Sequence, residues 1–115
     1  MSRIEKLDIE ERIKKVFSGI LKRRTGKGPL TVQAFIIGKN IDVVAKGVLT
    51  QMEKSLSEDD NNLTFINFNR KLFYNQFKDE ICHEIKLSTG IEVSIESIDL
   101  SASKDEENIK FNVMI

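Results

Sequence analysis

The stretch that decides the fold is Thr31–Leu49, which reads TVQAFIIGKNIDVVAKGVL. Two runs rich in β-branched residues are joined there by Gly38–Asn40, which is typical of a hairpin with a tight turn. In the first run Val32, Ala34 and Ile36 alternate with Thr31, Gln33, Phe35 and Ile37. Because side chains alternate between the two faces of a strand, we expect one face of this hairpin to be buried and the other partly buried.

An amphipathic helix is predicted before the hairpin. Its apolar side chains recur at the i, i+3, i+4, i+7 spacing of one helical face and are Ile9, Ile13, Val16, Phe17, Ile20 and Leu21. Either Ser2 with Glu5 or Asp8 with Glu11 has the spacing of a capping box, so the start of the helix stays open between them. Gly19 lowers the helix propensity, which favours close packing of a neighbour or a bend at that residue.

Two helices are predicted after the hairpin. Thr50 stands three residues before Glu53, the capping-box spacing, and opens a short helix that ends in SEDDNN. A long helix follows from Leu63 to Ser88, and Gly90 is placed to stop it. Its apolar stripe is Ile66, Phe73, Phe77, Ile81 and Ile85, widened by Phe65 and Phe68.

Two further strands close the chain, at residues 91–98 (IEVSIESI) and 108–115 (NIKFNVMI), with a polar loop, LSASKDEEN, between them. The resulting fold class is a two-layer α+β domain in the order helix, strand, strand, helix, helix, strand, strand. We predict a single domain over residues 1–115, with a four-stranded, largely antiparallel sheet and helices on one face. Phe35, Ile37 and Val44 would then need cover on the other face, which predicts a homodimer.

The charges of the chain are unevenly distributed, although the net charge is zero. Residues 1–28 hold nine basic and four acidic residues, and the remainder holds nine basic and fourteen acidic residues. The basic segment has two interpretations: a solvated helix face beside acidic neighbours, or a site for an anion, a lipid headgroup or an acidic partner around Lys22, Arg23, Arg24 and Lys27. One cysteine and a charged N-terminus predict a cytoplasmic protein.

Motifs for catalysis are weak in this sequence. TGKGPL lacks the spacing of a phosphate-binding loop and follows a helix, where such a loop follows a strand. Cys82 and His83 are adjacent on a helix and therefore point apart, so they are predicted to be a half-buried core pair. The acidic runs at 58–60 and 105–107 lack the ligand spacing of a calcium loop and are predicted to be solvated turns. We expect no enzyme activity, no cofactor and no metal.

Three blocks of the sequence resemble the MpsC-like domain family, which is named for a component of a Na⁺-translocating membrane-potential-generating system. They are TGKGP at Thr25–Pro29, KGVLTQMEKSL at Lys46–Leu56 and TGIEVSIESIDLS at Thr89–Ser101, the last leading to IKFNV. The family pattern has arginine where this chain has Lys27, and proline where it has Gln51. Lysine keeps the positive charge but loses the planar fork that binds an anion through two hydrogen bonds.

The resemblance implies a small accessory or regulatory protein of a membrane system that handles sodium or bicarbonate. The resemblance does not imply catalysis. Together with the sheet face that needs cover and the lack of a long apolar run, it leads us to predict a non-enzymatic homodimer, cytoplasmic or peripheral to the inner face of the membrane, with no transmembrane segment. For the contact residues we predict Arg23, Arg24 and Lys27, with Gly26, Gly28 and Pro29 shaping their loop. The alternative is a KH-like nucleic-acid-binding module, which has a similar element order, although the acidic SEDDNN stands where its phosphate-binding loop would be.

Overall fold

Three α-helices and a four-stranded antiparallel sheet make up the part of the chain, residues 1–114, that the computed structural model describes. The elements are α1 (Arg3–Thr25), β1 (Thr31–Ile37), β2 (Asn40–Lys46), α2 (Gln51–Ser57), α3 (Leu63–Thr89), β3 (Val93–Ser101) and β4 (Glu106–Val113), with short 3₁₀ turns at Asp60–Asn62 and Ala102–Lys104. The strand order is β1-β2-β4-β3. The predicted fold class is confirmed. The end of the last predicted strand, Ile115, lies outside the described residues.

The hairpin of β1 and β2 forms in the predicted place. Ile37 pairs with Asn40, so Gly38 and Lys39 alone make the turn, and Gly38 has a positive φ of 60°. The residues of the two strands that face the helices are Ala34, Ile36, Ile41, Val43 and Ala45, and all are buried. Phe35 and Ile37 on the other face are 44% and 61% exposed, so the apolar outer surface exists at this corner of the sheet.

The start of α1 is decided by Ser2, whose hydroxyl accepts a hydrogen bond from the backbone N–H of Glu5 at 3.1 Å. Ile13, Phe17, Ile20 and Leu21 of the predicted stripe are buried. The close packing predicted at Gly19 is wrong, because this residue is exposed and a Cβ added there would meet nothing within 4 Å.

Both long helices end with the same Thr-Gly device. Gly26 and Gly90 adopt the left-handed conformation, with φ of 80° and 78°, and each donates its N–H to a carbonyl four residues earlier. The hydroxyls of Thr25 and Thr89 contact the carbonyls of Leu21 and Ile85, each at 2.6 Å, and accept an N–H from the residue two positions later. The predicted helix stops at both glycines are therefore confirmed.

Strand β3 is longer than predicted and contains a bulge. Ile95 pairs with Phe111 and Ile98 pairs with Ile109, so three residues of β3 span two of β4. The extra residue keeps both isoleucines on the inner face. A strict alternation would have sent Ile98 to the outer face, so the sequence pattern alone could not place it.

Helices α1 and α3 run antiparallel and are offset along their length. Arg12 donates to the carbonyl of Ser88 at 3.0 Å, whereas Arg24 stacks over the ring of Phe77 at 4.8 Å. The first ten residues of α3 therefore extend beyond the end of α1. The predicted widening of the apolar stripe at Phe65 and Phe68 is wrong in consequence, since no helix within residues 1–114 covers them and both are more than half exposed.

Candidate functional site

The basic loop, which we define as residues 23–29, comprises the last turn of α1 and the segment that follows it. Two of its arginines face α3. Arg23 donates to Glu80 at 2.7 Å and to Glu84 at 3.0 Å, and Arg24 donates to Glu80 at 3.0 and 3.1 Å. Hydrogen bonds to Arg24 and Arg23 lower the pKa of the Glu80 carboxyl. These pairs support the interpretation of the two arginines as a helix face beside acidic neighbours.

Lys27 turns toward the start of α2 and away from the arginines. Its ammonium group donates to the carbonyl of Leu49 at 3.1 Å. Burial and the nearby charge of Lys54 lower the pKa of Lys27, while Asp105 opposes this shift. Lys27 and Lys54 therefore face the same cleft, which Gly26, Leu49 and other residues of both segments line. Of the predicted contact residues, the structure brings Lys27 to this cleft, whereas Arg23 and Arg24, in the last turn of α1, are paired with acidic residues of α3.

Asp105 ties the β2–α2 connection to the loop before β4. One oxygen of its carboxylate, Oδ1, accepts the backbone N–H groups of Val48 and Leu49, each at 2.8 Å, and its carbonyl accepts the N–H of Gly47. Gly47 has a φ of 69°, which permits this path. The prediction of a solvated turn is therefore wrong at Asp105, because its carboxylate satisfies backbone donors of another segment.

A buried polar cluster, formed by Glu53, Arg70, Tyr74 and Glu107, lies between α2, α3 and β4. Arg70 is 3% exposed and Glu107 is fully buried. The guanidinium binds both carboxylate oxygens of Glu107, at 2.8 and 3.0 Å, and approaches Glu53 at 3.5 Å. Tyr74 donates its hydroxyl to Glu107 as well. The solvated turn predicted for residues 105–107 is thus also wrong at Glu107.

Burial and the partners within this cluster set its pKa values. Burial and the charge of Glu107 raise the pKa of Tyr74 well above its ordinary value, so the phenol stays protonated. For Arg70, burial opposes the charged form, but the hydrogen bonds and charge of Glu107 outweigh it and raise the pKa. In this cluster, therefore, a charged guanidinium and a neutral phenol both donate hydrogen bonds to the carboxylate group of Glu107.

Sequence reasoning missed this cluster, although the signal was present. Arg70 lies four residues from Ile66 and from Tyr74, on the buried stripe of α3. Glu107 lies two residues from Ile109 on the buried face of β4. One positive and one negative charge on two apolar faces that pack together predict an ion pair, because a lone buried charge is too costly.

Beside the cluster, a groove runs between α2 and α3 from the end of α1. We call it the α2–α3 groove; its volume is about 400 Å³. It is lined by Arg24, Thr25, Thr50, Met52, Glu53, Asn69, Arg70, Leu72, Phe73, Gln76 and Phe77.

Glu53 completes the predicted capping box, since it accepts the N–H of Thr50 at 3.0 Å and its own N–H bonds to the Thr50 hydroxyl at 3.2 Å.

Cys82 and His83 do not form a pair. Cys82 is half-buried, and burial together with the charge of Asp79 raises the pKa of its thiol. His83 is exposed, so the prediction of a half-buried core pair is wrong for the histidine. Within residues 1–114 no group of three or more histidine, cysteine, aspartate or glutamate side chains is arranged to hold a metal ion.

The fold and its polar contacts define a small α+β domain in which one four-stranded antiparallel sheet packs against two long helices. The family model described as "Na+-translocating membrane potential-generating system (MpsC)" matches residues 5–113, and the chain belongs to this family. The resemblance seen in the sequence is thus confirmed. The comparison with curated proteins finds no match. None of the helices within residues 1–114 is long and apolar enough to cross a membrane.

Proposed function

We propose that this chain is a non-enzymatic accessory or regulatory component of a Na⁺-translocating membrane-potential-generating system. It acts as a homodimer at the cytoplasmic face of the membrane. The observation that carries the proposal is the family match, which runs from the first turn of α1 to the end of β4 and so includes every helix and strand. The role follows from the system for which the family is named.

A role in binding, without catalysis, is supported by the state of the buried ionisable groups. Arg70 and Tyr74 both donate to Glu107, and the raised pKa values of these two groups keep the guanidinium charged and the phenol neutral. A general acid or base must instead exchange its proton near neutral pH. These groups therefore fit a structural role.

A homodimer is supported by two exposed apolar surfaces. One is the sheet corner with Phe35 and Ile37, and the other is formed by Phe65, Phe68 and Leu72 on the uncovered half of α3. Contiguous exposed apolar patches are uncommon on soluble monomers, and where they occur they often mark a protein–protein contact site. On the outer face of the sheet, the strands next to β1 carry polar residues such as Lys110. The apolar surface is therefore limited to the edge strand β1.

For the membrane partner we propose contact through the basic loop. Lys27 supplies a positive charge at the cleft that it shares with Lys54. Arg23 and Arg24 are paired with Glu80 and Glu84, but they remain partly exposed and would exchange these partners for an acidic segment of the membrane protein. Gly26, Gly28 and Pro29 fix the course of the loop. An acidic segment of a membrane protein would match this surface, since opposite charges steer encounter and fix orientation.

The test uses membrane vesicles from a deletion strain of the native host, to which purified protein is added. A potential-sensitive dye then reports the Na⁺-dependent membrane potential. We expect the wild-type protein to restore it, and the triple variant Arg23→Gln, Arg24→Gln, Lys27→Gln to restore much less. Neutral replacements are used because reversed charges would repel Glu80 and Glu84.

The matched control is the triple variant Lys15→Gln, Lys71→Gln, Lys78→Gln, which removes the same charge from exposed positions outside the loop. It should behave like the wild type. Vesicles whose Na⁺-dependent potential is intact without the protein, and unchanged by it, would exclude the accessory role. Equal activity of both triple variants would exclude the basic loop as the contact.

A further inference from the structure

The floor of the α2–α3 groove carries a carboxylate oxygen that needs a hydrogen-bond donor. Glu53 is 5% exposed, and its Oε1 is engaged by Thr50 and Arg70. Its Oε2 is buried and has no hydrogen-bond partner within residues 1–114. The cluster beneath contains two carboxylates, Glu53 and Glu107, for one guanidinium. Because an uncompensated buried charge is costly, the groove favours a positively charged donor.

The walls of the groove favour an apolar side chain next to that donor. Met52 and Leu72 are 71% and 50% exposed at its rim, and the half-buried rings of Phe73 and Phe77 form its side. Aromatic faces also attract cations. A short amphipathic segment with exposed apolar and basic residues therefore fits this groove.

The first two turns of α1 are a segment of this kind. Ile4 is 80% and Leu7 54% exposed, and their spacing of three places them on one side of the helix. Arg3 and Lys6 alternate with them along the chain and form no salt bridge within residues 1–114. The segment thus offers both the apolar side chains and the free cations that the groove lacks.

The two complementary surfaces lie at opposite ends of one helix. The groove includes Arg24 and Thr25 at the last turn of α1, and a helix of 23 residues is about 34 Å long. The longest dimension of the molecule is 46 Å. Two copies placed side by side in opposite directions can therefore make both contacts at once. Such a two-fold arrangement closes and leaves no free end to propagate.

We propose that residues 1–7 of one copy occupy the α2–α3 groove of a second copy, with Arg3 or Lys6 donating to Glu53 and with Ile4 and Leu7 packing on the groove wall. The exchange is reciprocal. This inference rests on the homodimer of the proposed function and names its contact surface.

Disulfide trapping tests the arrangement directly. In a Cys82→Ala background, Ile4→Cys and Met52→Cys are combined in one chain and oxidised at micromolar protein concentration. Within one chain, Ile4 lies at the start of α1, whereas Met52 lies on α2 in the groove near the end of α1, so a disulfide between them joins two copies. We expect a covalent dimer for the double variant and for a mixture of the two single variants, and none for either single variant alone. Failure of the double variant and the mixture to cross-link would overturn the arrangement.

Charge reversal tests the ion pair in the untrapped protein. The variant Arg3→Glu, Lys6→Glu should weaken dimerisation at least tenfold in sedimentation equilibrium. The control Lys15→Glu, Lys78→Glu reverses the same number of charges at exposed positions outside both residues 1–7 and the groove, and it should dimerise like the wild type. Equal dimerisation of both variants would overturn the proposed ion pair.

The outcomes separate this inference from the proposed function. A wild-type protein that stays monomeric at tens of micromolar would overturn the inference together with the homodimer, but it would leave the vesicle test of the accessory role unaffected. A dimer that tolerates the changes at Arg3 and Lys6, and dissociates on Phe35→Lys with Ile37→Lys, would overturn the inference alone. The homodimer would then use the sheet corner.

Discussion

Replacement of Arg70 by methionine should be among the most damaging single changes in this protein. Methionine matches the length and flexibility of the arginine stem, so the packing volume is largely kept. Within residues 1–114, however, the guanidinium is the only cation that contacts Glu107 and Glu53. Its removal leaves two buried carboxylates without a countercharge, and Glu107 keeps only the hydroxyl of Tyr74.

The expected cost is about 3–5 kcal/mol, the range found when one partner of a buried ion pair is removed. Small domains have total unfolding free energies of about 5–15 kcal/mol, so this loss is a large fraction of the stability. For a chain of 115 residues, 1 kcal/mol corresponds to a shift in Tm of roughly 3–6 °C. The variant should therefore melt roughly 9–30 °C below the wild type.

The assay is thermal and urea unfolding followed by circular dichroism. Arg23→Met is the matched control, because Arg23 also binds two carboxylates but its side chain is 48% exposed. Such exposed pairs contribute about 1 kcal/mol or less. The double variant Arg70→Met, Glu107→Leu should recover part of the loss, since it removes one of the stranded charges.

Equal melting temperatures for Arg70→Met and Arg23→Met would refute the reasoning. That result would mean that the carboxylates of the buried cluster are hydrated or protonated at little cost, and that Arg70 does not compensate them. A double variant less stable than the sum of its single changes would likewise contradict the assignment of the cost to stranded charge.

Three further predictions concern single residues. Tyr74 is the only tyrosine, and its folded pKa lies above the unfolded value near 10, so this part of the stability is present below pH 10 and lost as the pH rises through the folded pKa. Tyrosinate absorbance should therefore appear together with unfolding, and an absorbance rise that precedes the loss of circular dichroism would contradict this. Gly47→Ala should cost more than Gly26→Ala in urea unfolding, because both residues have positive φ but only a Cβ at Gly47 would meet Leu30 side-chain atoms, at 2.5–2.8 Å. A difference that survives in a Leu30→Gly background, which removes all of these atoms, would argue against this contact. Gly19→Ala should stabilise the protein by about 1 kcal/mol, because alanine is the better helix former and the position is open; a lower Tm would show that glycine is needed there.

Local sequence signals predicted the elements of this fold because each element carries its own start and stop. Ser2, Thr50 and the glycines at 26 and 90 are capping signals that act within a few residues, and the structure uses all of them. The alternation in Thr31–Leu49 predicted the hairpin for the same reason. Such signals depend on hydrogen bonds between residues that are close in the sequence, so they can be recognised from the local sequence alone.

The errors concern residues whose environment is set by distant parts of the chain. Phe65 and Phe68 match the apolar period of α3, but their burial depends on where α1 ends in space. The face on which Ile98 lies is set by a bulge in β3, and this bulge is defined only by the pairing of β3 with β4. Arg70 and Glu107 were missed because a search for periodic apolar residues ignores charged ones. A charged residue on a buried face nevertheless indicates that a partner of opposite charge lies elsewhere in the fold.

The motifs that identify the family are largely explained by contacts within the chain. The TGKGP and TGIEV blocks contain the two Thr-Gly helix ends, and the KGVLTQMEKSL block contains Gly47, the donors to Asp105 and the capping box of Thr50. These contacts stabilise the fold of this chain and do not depend on what the protein binds. The basic residues of these blocks are Lys27, Lys46 and Lys54, and within residues 1–114 none of them has a carboxylate partner at hydrogen-bond distance. Family membership therefore transfers the fold more firmly than a binding site. The search for contact surfaces belongs at Lys27, at the α2–α3 groove, which only partly overlaps the motifs, and at the start of α1, which lies outside them.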